Sequence, residues 1–246
     1  MRSRHSGQNS GEAGNAMLYV LIGIALFVAL VFTFTKSSRF SKISTEDAIL
    51  QAQAITSYAD KINGAVQSAM LQSGCLSSQI SFENSTVAGY TNAGAPANKK
   101  CNIFDLAGGG MNYEAPPAAA IDTVAATAAG FPVSYLFSGN VCVDNIGTGP
   151  LATCASDGLG NEELLLIVPF VNATVCAAIN KVLENKTPML QDSGGSFDGT
   201  KFTGTFADGF ALGDGGFTTY PTGCFQSTGG GSPGNGYHFY TVLLAR

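Results

Sequence analysis

Basic residues are scarce in the larger part of the chain, residues 73–246. This part contains six Lys and Arg residues against thirteen Asp and Glu residues, a balance of minus seven. Nucleic-acid backbones are bound through clustered lysine and arginine, and an acidic surface of this kind repels phosphate. The composition therefore excludes a nucleic-acid partner. Charge is sparse and glycine is abundant, which is typical of a loop-rich β fold.

The chain also lacks the side-chain pairs that most enzymes use. His238 is the only histidine outside the first few residues, and it lies in a run of alternating aromatics, which favours a packed histidine over a general base. Residues 230–234 fit the hydrolase pattern G-x-S-x-G, but no strand precedes them and no helix follows. Glu162 and Glu163 are adjacent, so on a strand they point to opposite faces. We expect no catalytic residues and no enzymatic activity.

Residue spacings that are typical of metal sites are also scarce. No C-x-x-C spacing occurs, which disfavours a zinc site. Oxygen ligands on flexible loops suit calcium, and four aspartates lie in a glycine-rich region: Asp192, Asp198, Asp208 and Asp214. Pairs such as Asp198-Gly199 are also ordinary turn residues. We expect no cofactor, with calcium at these four aspartates as the alternative.

Charge is absent from residues 16–34, AMLYVLIGIALFVALVFTF. A helix of that length, at about 1.5 Å per residue, reaches the ~30 Å of bilayer hydrocarbon, so membrane lipid is an expected partner. The run is longer than the ~7–15 residues of a secretory signal core and has no A-x-A cleavage site after it. The alternatives are an uncleaved anchor and a leader that is cut just before the run.

A second helix is predicted after the apolar run. Residues 44–47, Ser-Thr-Glu-Asp, supply a side-chain cap and acidic residues for the first turn. Apolar and small residues then recur at spacings of four and three, namely Ala48, Ala52, Ile55, Ala59, Ile62, Val66 and Ala69. The Ser73-Gly74-Cys75 break ends the pattern near Leu71. We expect this stripe to pack partly on the rest of the chain and partly on neighbouring subunits.

An apolar spanning half, an amphipathic half and a cysteine-bearing β-rich head together resemble the plan of a type IV pilin or pseudopilin. In that family a peptidase cuts after a glycine that precedes the apolar run. The resemblance places this cut between Gly14 and Asn15. Tyr19 stands where the family usually has a glutamate. A chain without that glutamate resembles the minor pilins and pseudopilins that sit at a filament tip, and its absence equally fits a chain that forms no filament.

The resemblance sets the expected domains. They are a leader at 1–14, a transmembrane and stalk helix at 15–72 and a β-rich globular head at 73–246. The fold class is α+β, with a long N-terminal membrane-spanning and amphipathic helix followed by a disulfide-containing head.

The six cysteines all follow the apolar run: Cys75, Cys101, Cys142, Cys154, Cys176 and Cys224. An even number in an exported, glycine-rich head predicts disulfides and an oxidising compartment. Six cysteines allow fifteen pairings. We expect neighbours along the chain to pair: Cys75 with Cys101, Cys142 with Cys154, and Cys176 with Cys224.

Several strands can be placed in the head. Residues 133–137 and 140–143 are expected to form a hairpin around Ser138-Gly139. Leu164 to Phe170 is a continuous apolar run and predicts a buried strand. Asn172 then caps a helix, and residues 237–244 form a final strand.

These observations predict a non-enzymatic, membrane-anchored, exported structural protein that assembles through its N-terminal helix. Its partners are other pilin-like subunits and the assembly machinery. It is expected in the inner membrane, with a periplasmic or extracellular head that can stand in a filament. Two alternatives stay open: an uncleaved anchor that displays a glycan- or protein-binding head, and a cell-surface hydrolase.

Overall fold

The computed structural model describes residues 19–27, 44–144, 146–147, 160–184, 189–193, 195–213, 220–229 and 232–246. The chain divides into two compact units, Met1–Ser44 and Thr45–Arg246. In the first unit the structure describes one helical segment, at 19–27. Within the described residues, none of the helices combines the length and the apolar character needed to cross a bilayer.

The predicted long N-terminal membrane-spanning and amphipathic helix is therefore wrong. The next helix, α1 at Thr45–Leu71, has 27 residues but contains the charged side chains of Glu46, Asp47, Asp60 and Lys61. The disulfide-containing, β-rich part of the predicted fold is confirmed.

Helix α1 begins and ends where its cap and its glycine break predict. All seven residues of the predicted stripe are buried: Ala48, Ala52, Ile55, Ala59, Ile62, Val66 and Ala69. The helix packs on α3 and β6, defined below, and Gln67 Nε2 donates to the Leu243 carbonyl at 2.9 Å. The compact unit thus starts at Thr45 instead of residue 73, because the buried face of α1 forms part of the core.

The remaining elements are short. Among the described residues, two further α-helices follow, α2 at Thr123–Ala128 and α3 at Ala173–Val182, and single 3₁₀ turns form at Ser77–Gln79 and Ala118–Ala120. The strands are β1 at Leu136–Val143, β2 at Glu163–Val168, β3 at Leu190–Asp192, β4 at Phe210–Leu212, β5 at Thr222–Ser227 and β6 at Gly236–Leu244. Strands β2 and β6 and helix α3 with its Asn172 cap position confirm the sequence prediction.

The six strands form one sheet in the order β3-β5-β6-β2-β1-β4. The four central strands, β5, β6, β2 and β1, are antiparallel to one another, whereas the edge strands β3 and β4 pair parallel with β5 and β1. The predicted hairpin at 133–143 is wrong, since β1 runs straight through Gly139 with an irregular register between Ser138 and Val141. A side chain at Gly139 would place its Cβ 2.6 Å from the Phe202 ring, so glycine serves close packing there and makes no turn.

The core lies on both faces of the sheet. Adjacent strand residues point to opposite faces, so Cys224 faces α3 while Phe225 faces the other side. That other side holds a cluster of buried residues: Leu136, Val141, Val143, Leu165, Ile167, Phe197, Leu212, Phe225, Tyr240 and Val242. Phe197 belongs to a loop. The face of the sheet that contains Phe225 is therefore covered by loop residues, whereas the face that contains Cys224 is covered by helices.

Two predicted disulfides are present. Cys75 bonds to Cys101, with 5.8 Å between Cα atoms, and Cys176 bonds to Cys224, with 5.4 Å. The second bond ties α3 to β5. Cys142 is also disulfide-bonded, and its predicted partner Cys154 lies outside the described residues. Disulfides of this kind persist in an oxidising, extracytoplasmic space.

Candidate functional site: a cavity at the loop-covered side

A cavity of about 380 Å³ opens among loops at one end of the sheet. Its walls come from separate parts of the chain: Tyr90, the segment Ala129–Pro132, Ser134, Leu136, Pro169, Gly199, Lys201 and Ser232. The volume lies within the ~300–1,000 Å³ of typical ligand pockets, and the lining combines apolar side chains with a few polar groups, as in many such pockets. We therefore treat this cavity as the candidate functional site.

One wall is formed by the chain as it leaves α2. Gly130 has φ +78°, its N–H donates to the Thr127 carbonyl, and the Phe131 N–H donates to the Ala126 carbonyl at 2.9 Å. These two bonds make a Schellman cap, whose left-handed residue is best served by glycine. The cap reverses the chain. Phe131 and Pro132 follow it directly and line the cavity.

A second wall is formed by Pro169 and the unusual residue after it. Phe170 has φ +55°, a left-handed conformation that is costly for a bulky side chain. Its N–H donates to Nδ1 of His238 at 3.1 Å, and its ring packs edge-on against the imidazole. His238 thus holds the turn that presents Pro169 to the cavity.

His238 is a buried, neutral imidazole. Because Nδ1 accepts a hydrogen bond, the neutral ring carries its proton on Nε2. Burial lowers the pKa of His238 to about 3, and the Gly234 carbonyl opposes this shift only in part. The rings of Phe197 and Phe225 enclose the imidazole at centroid distances of 5.1 and 5.3 Å. The prediction of a packed histidine is confirmed.

Lys201 supplies the positive charge of the cavity. Its Nζ donates to the Ala88 carbonyl at 2.6 Å and lies 5.3 Å from the centre of the Tyr90 ring. Tyr90 is itself fixed, since its hydroxyl donates to the Tyr135 carbonyl and accepts from the Phe137 N–H. Burial raises the pKa of Tyr90, so the phenol stays neutral beneath the ammonium.

The serine that carries the G-x-S-x-G pattern lies at the rim of the cavity. Ser232 is exposed, and its carbonyl accepts from the Ser196 N–H at 3.0 Å. Within the described residues, no hydrogen bond joins Ser232 to His238, whose Nδ1 is already occupied. The pair therefore lacks the nucleophile–base contact that hydrolysis of this type needs.

Glu162 and Glu163 lie away from the cavity, at the start of β2. Both are fully buried. Oε2 of Glu163 accepts from the Val143 N–H at 2.9 Å. Burial raises the pKa of Glu163 to about 7, against the lowering effect of that hydrogen bond. These carboxyl groups face the core and do not line the cavity.

The aspartates predicted to bind calcium are separately engaged. Asp192 is buried and accepts from the Ser196 hydroxyl, whereas Asp198 accepts from Asn140 and Thr200. Asp208 is exposed, and Asp214 lies outside the described residues. In the part of the chain that the structure describes, no three acidic, histidine or cysteine side chains gather as a metal site.

The predicted leader cleavage at Gly14 and Asn15 also lies outside the described residues. The cavity residues Tyr90, Phe131 and Lys201 were not among the sequence candidates. They come from three distant segments, and nothing in their local patterns distinguishes them from ordinary loop residues. One local pattern near the cavity could be interpreted from sequence: the glycine at Gly130, followed by Phe131 and Pro132, is typical of a helix end.

In comparisons with known proteins, no family model, curated protein or solved structure matches this chain. The similarity to type IV pilins and pseudopilins thus stays a prediction from the sequence pattern.

Proposed function

We propose that this is an exported, non-enzymatic binding protein whose disulfide-held fold presents the cavity to a ligand carried by a partner. The cavity is the observation on which the proposal depends. It combines apolar walls, a fixed lysine and a rim hydroxyl, which is the composition of a recognition site. The disulfides support the exported location, since they require an oxidising space.

The absence of an assembled nucleophile and base among the described cavity residues supports a binding role over hydrolysis. Ser232 is exposed without a neighbouring base, and His238 is neutral and bonded to the Phe170 backbone. The hydrolase alternative requires both groups to rearrange. It is therefore the weaker proposal.

The pilin-like role is retained here only as contact between subunits. The outer face of α1 is exposed and includes Leu50, Ala54, Ser57 and Gly64. A neighbouring subunit can pack on this face without disturbing the face buried against the sheet. The apolar sequence at 16–34 is the reason that contact with membrane lipid and a location at the inner membrane are part of this proposal.

Blocking the cavity tests the proposal. Gly199 lines the cavity, and a Cβ added there meets no atom within 4 Å, so Gly199→Trp should fill the opening while the fold is retained. Gly64→Trp, at an equally open position on α1, is the matched control. The full chain is screened against N-acetylated amino acids and monosaccharides by saturation-transfer NMR.

We expect at least one of these compounds to bind the wild type and the Gly64→Trp control, and to lose binding at least tenfold in Gly199→Trp. If Gly199→Trp, with an unchanged folded spectrum, binds the same compounds as the wild type, the cavity is not the recognition site.

A further inference from the structure

Lys201 brings an uncompensated positive charge to the cavity. In the part of the chain that the structure describes, the ion pair between Lys99 and Asp105 closes to 3.5 Å, but Lys201 has no carboxylate within ion-pair distance. Asp198, three residues away in sequence, is engaged by Asn140 and Thr200. An ammonium has three N–H donors, and the Ala88 carbonyl takes one of them.

The rest of the cavity is unsuited to a second charge. Phe131, Pro132, Leu136 and Pro169 contribute apolar walls, and Phe131 is braced by the rings of Phe170 and Phe197. A doubly charged phosphate would bring a charge that Lys201 leaves unneutralised in apolar surroundings, which is costly. A carboxylate carries the single charge that one lysine matches.

The walls also distinguish between a sugar and a peptide. A sugar ring needs hydrogen-bond partners for several hydroxyl groups, and each one left unpaired in a buried site costs affinity. The side-chain hydroxyls among the lining residues belong to Tyr90, Ser134 and Ser232, and those of Tyr90 and Ser134 are already paired. An apolar side chain has no such requirement and gains from burial against proline and phenylalanine.

The size allows a ligand of this kind. The cavity of about 380 Å³ lies near the lower end of the ~300–1,000 Å³ of ligand pockets, which suits a small group such as one terminal residue.

We infer that the cavity binds the C-terminal carboxylate of a peptide or protein whose last residue is apolar, with the carboxylate on Lys201 and the side chain among Phe131, Leu136 and Pro169. This inference rests on the proposed binding function and names its ligand. The peptide chain before the last residue leaves past Ser232 at the rim.

A matched pair of probes isolates the charge. The full chain is titrated with N-acetyl-L-phenylalanine and with its amide, which has the same shape without the carboxylate. We expect the wild type to bind the acid about tenfold or more tightly than the amide, because a charge-assisted hydrogen bond forms only with the acid. Lys201→Gln should remove this preference and keep the weaker amide binding.

Lys181→Gln is the control for net charge. Lys181 is exposed on α3 and does not line the cavity, so the acid preference should survive this change. Equal binding of acid and amide to the wild type overturns the inference, as does a preference that persists in Lys201→Gln.

Two further outcomes separate the inference from the proposed function. Binding of glucuronate in place of N-acetylphenylalanine, if it is blocked by Gly199→Trp, overturns the peptide ligand and leaves the binding function standing. Binding of either probe that Gly199→Trp does not affect places the ligand elsewhere and overturns both proposals.

Discussion

Glu163 is a buried carboxyl group at the first position of β2, and burial raises its pKa to about 7 from 4.5. Between these two pH values the folded protein keeps a proton that the unfolded chain releases. The folded state therefore binds more protons in this window, and its stability falls as the pH rises. The buried imidazole of His238 acts in the opposite direction, since its lowered pKa makes stability fall as the pH drops below about 6.5.

Glu163→Gln should remove the loss of stability with rising pH that the buried carboxyl group causes. A glutamine carbonyl can still accept from the Val143 N–H, so the local hydrogen bond is kept. We expect the variant to gain stability over the wild type as the pH rises from 4.5 to 7, reaching about 3 kcal/mol above pH 7. Urea unfolding of both proteins at several pH values measures this difference, and the shared effect of His238 cancels. A difference that does not change with pH would contradict the raised pKa.

At the scale of elements, α1 shows what a stripe of small residues does in this fold. Ala48, Ala52 and Ala59 have almost no exposed surface, so the helix approaches α3 and the sheet closely. A large or charged side chain in this stripe has no room and no partner. The opposite face of the helix is exposed and polar, apart from scattered residues such as Leu50.

Two substitutions on α1 separate folding from assembly. Ala59 is buried and Ala54 is exposed, so glutamate at these two positions tests the two faces with the same chemistry. Ala59→Glu should cost about 2–5 kcal/mol of stability, because it buries a charge without a partner. Ala54→Glu should change stability by about 0.5 kcal/mol or less.

Thermal unfolding measures the first effect, and cross-linking of the protein in its native envelope measures assembly. If subunits meet through the outer face of α1, Ala54→Glu folds normally and yields fewer cross-linked species. An Ala59→Glu protein as stable as the wild type would mean that the stripe is not packed as described.

Local signals predicted the elements whose structure is decided locally. The cap at residues 44–47, the spacing of the stripe and the Ser73-Gly74-Cys75 break gave both ends of α1, and the apolar run at 164–170 gave β2. The Ser138-Gly139 pair predicts a turn locally. The actual role of Gly139, close contact with Phe202, depends on a segment 63 residues away and is not visible in the local sequence. The cavity could not be predicted, since its walls meet only after the sheet has formed.

The predicted continuous spanning helix is wrong, because apolar composition alone does not establish that one helix continues into the next. The described helix at 19–27 and α1 instead belong to separate compact units. Apolar composition gives the surroundings that a segment prefers but does not show where a helix begins or ends.

At the scale of the whole molecule, disulfides join parts that are distant in sequence. Cys75–Cys101 closes a separation of 26 residues and Cys176–Cys224 one of 48. Restriction of the unfolded chain makes loops of these lengths worth about 3–4 kcal/mol each. Helix α3 is held to β5 by the second of these bonds.

Binding of a ligand in the loop-lined cavity is the proposed activity of this molecule. Methyl NMR of the full chain, titrated with N-acetyl-L-phenylalanine, tests it most directly because each signal reports one place in the fold. We expect the methyl signals of Ala129 and Leu136, which line the cavity, to shift with a common affinity, while Leu50 on the outer face of α1 stays unchanged. Shifts at Leu50, with Ala129 and Leu136 unmoved, would show that the ligand binds outside the cavity.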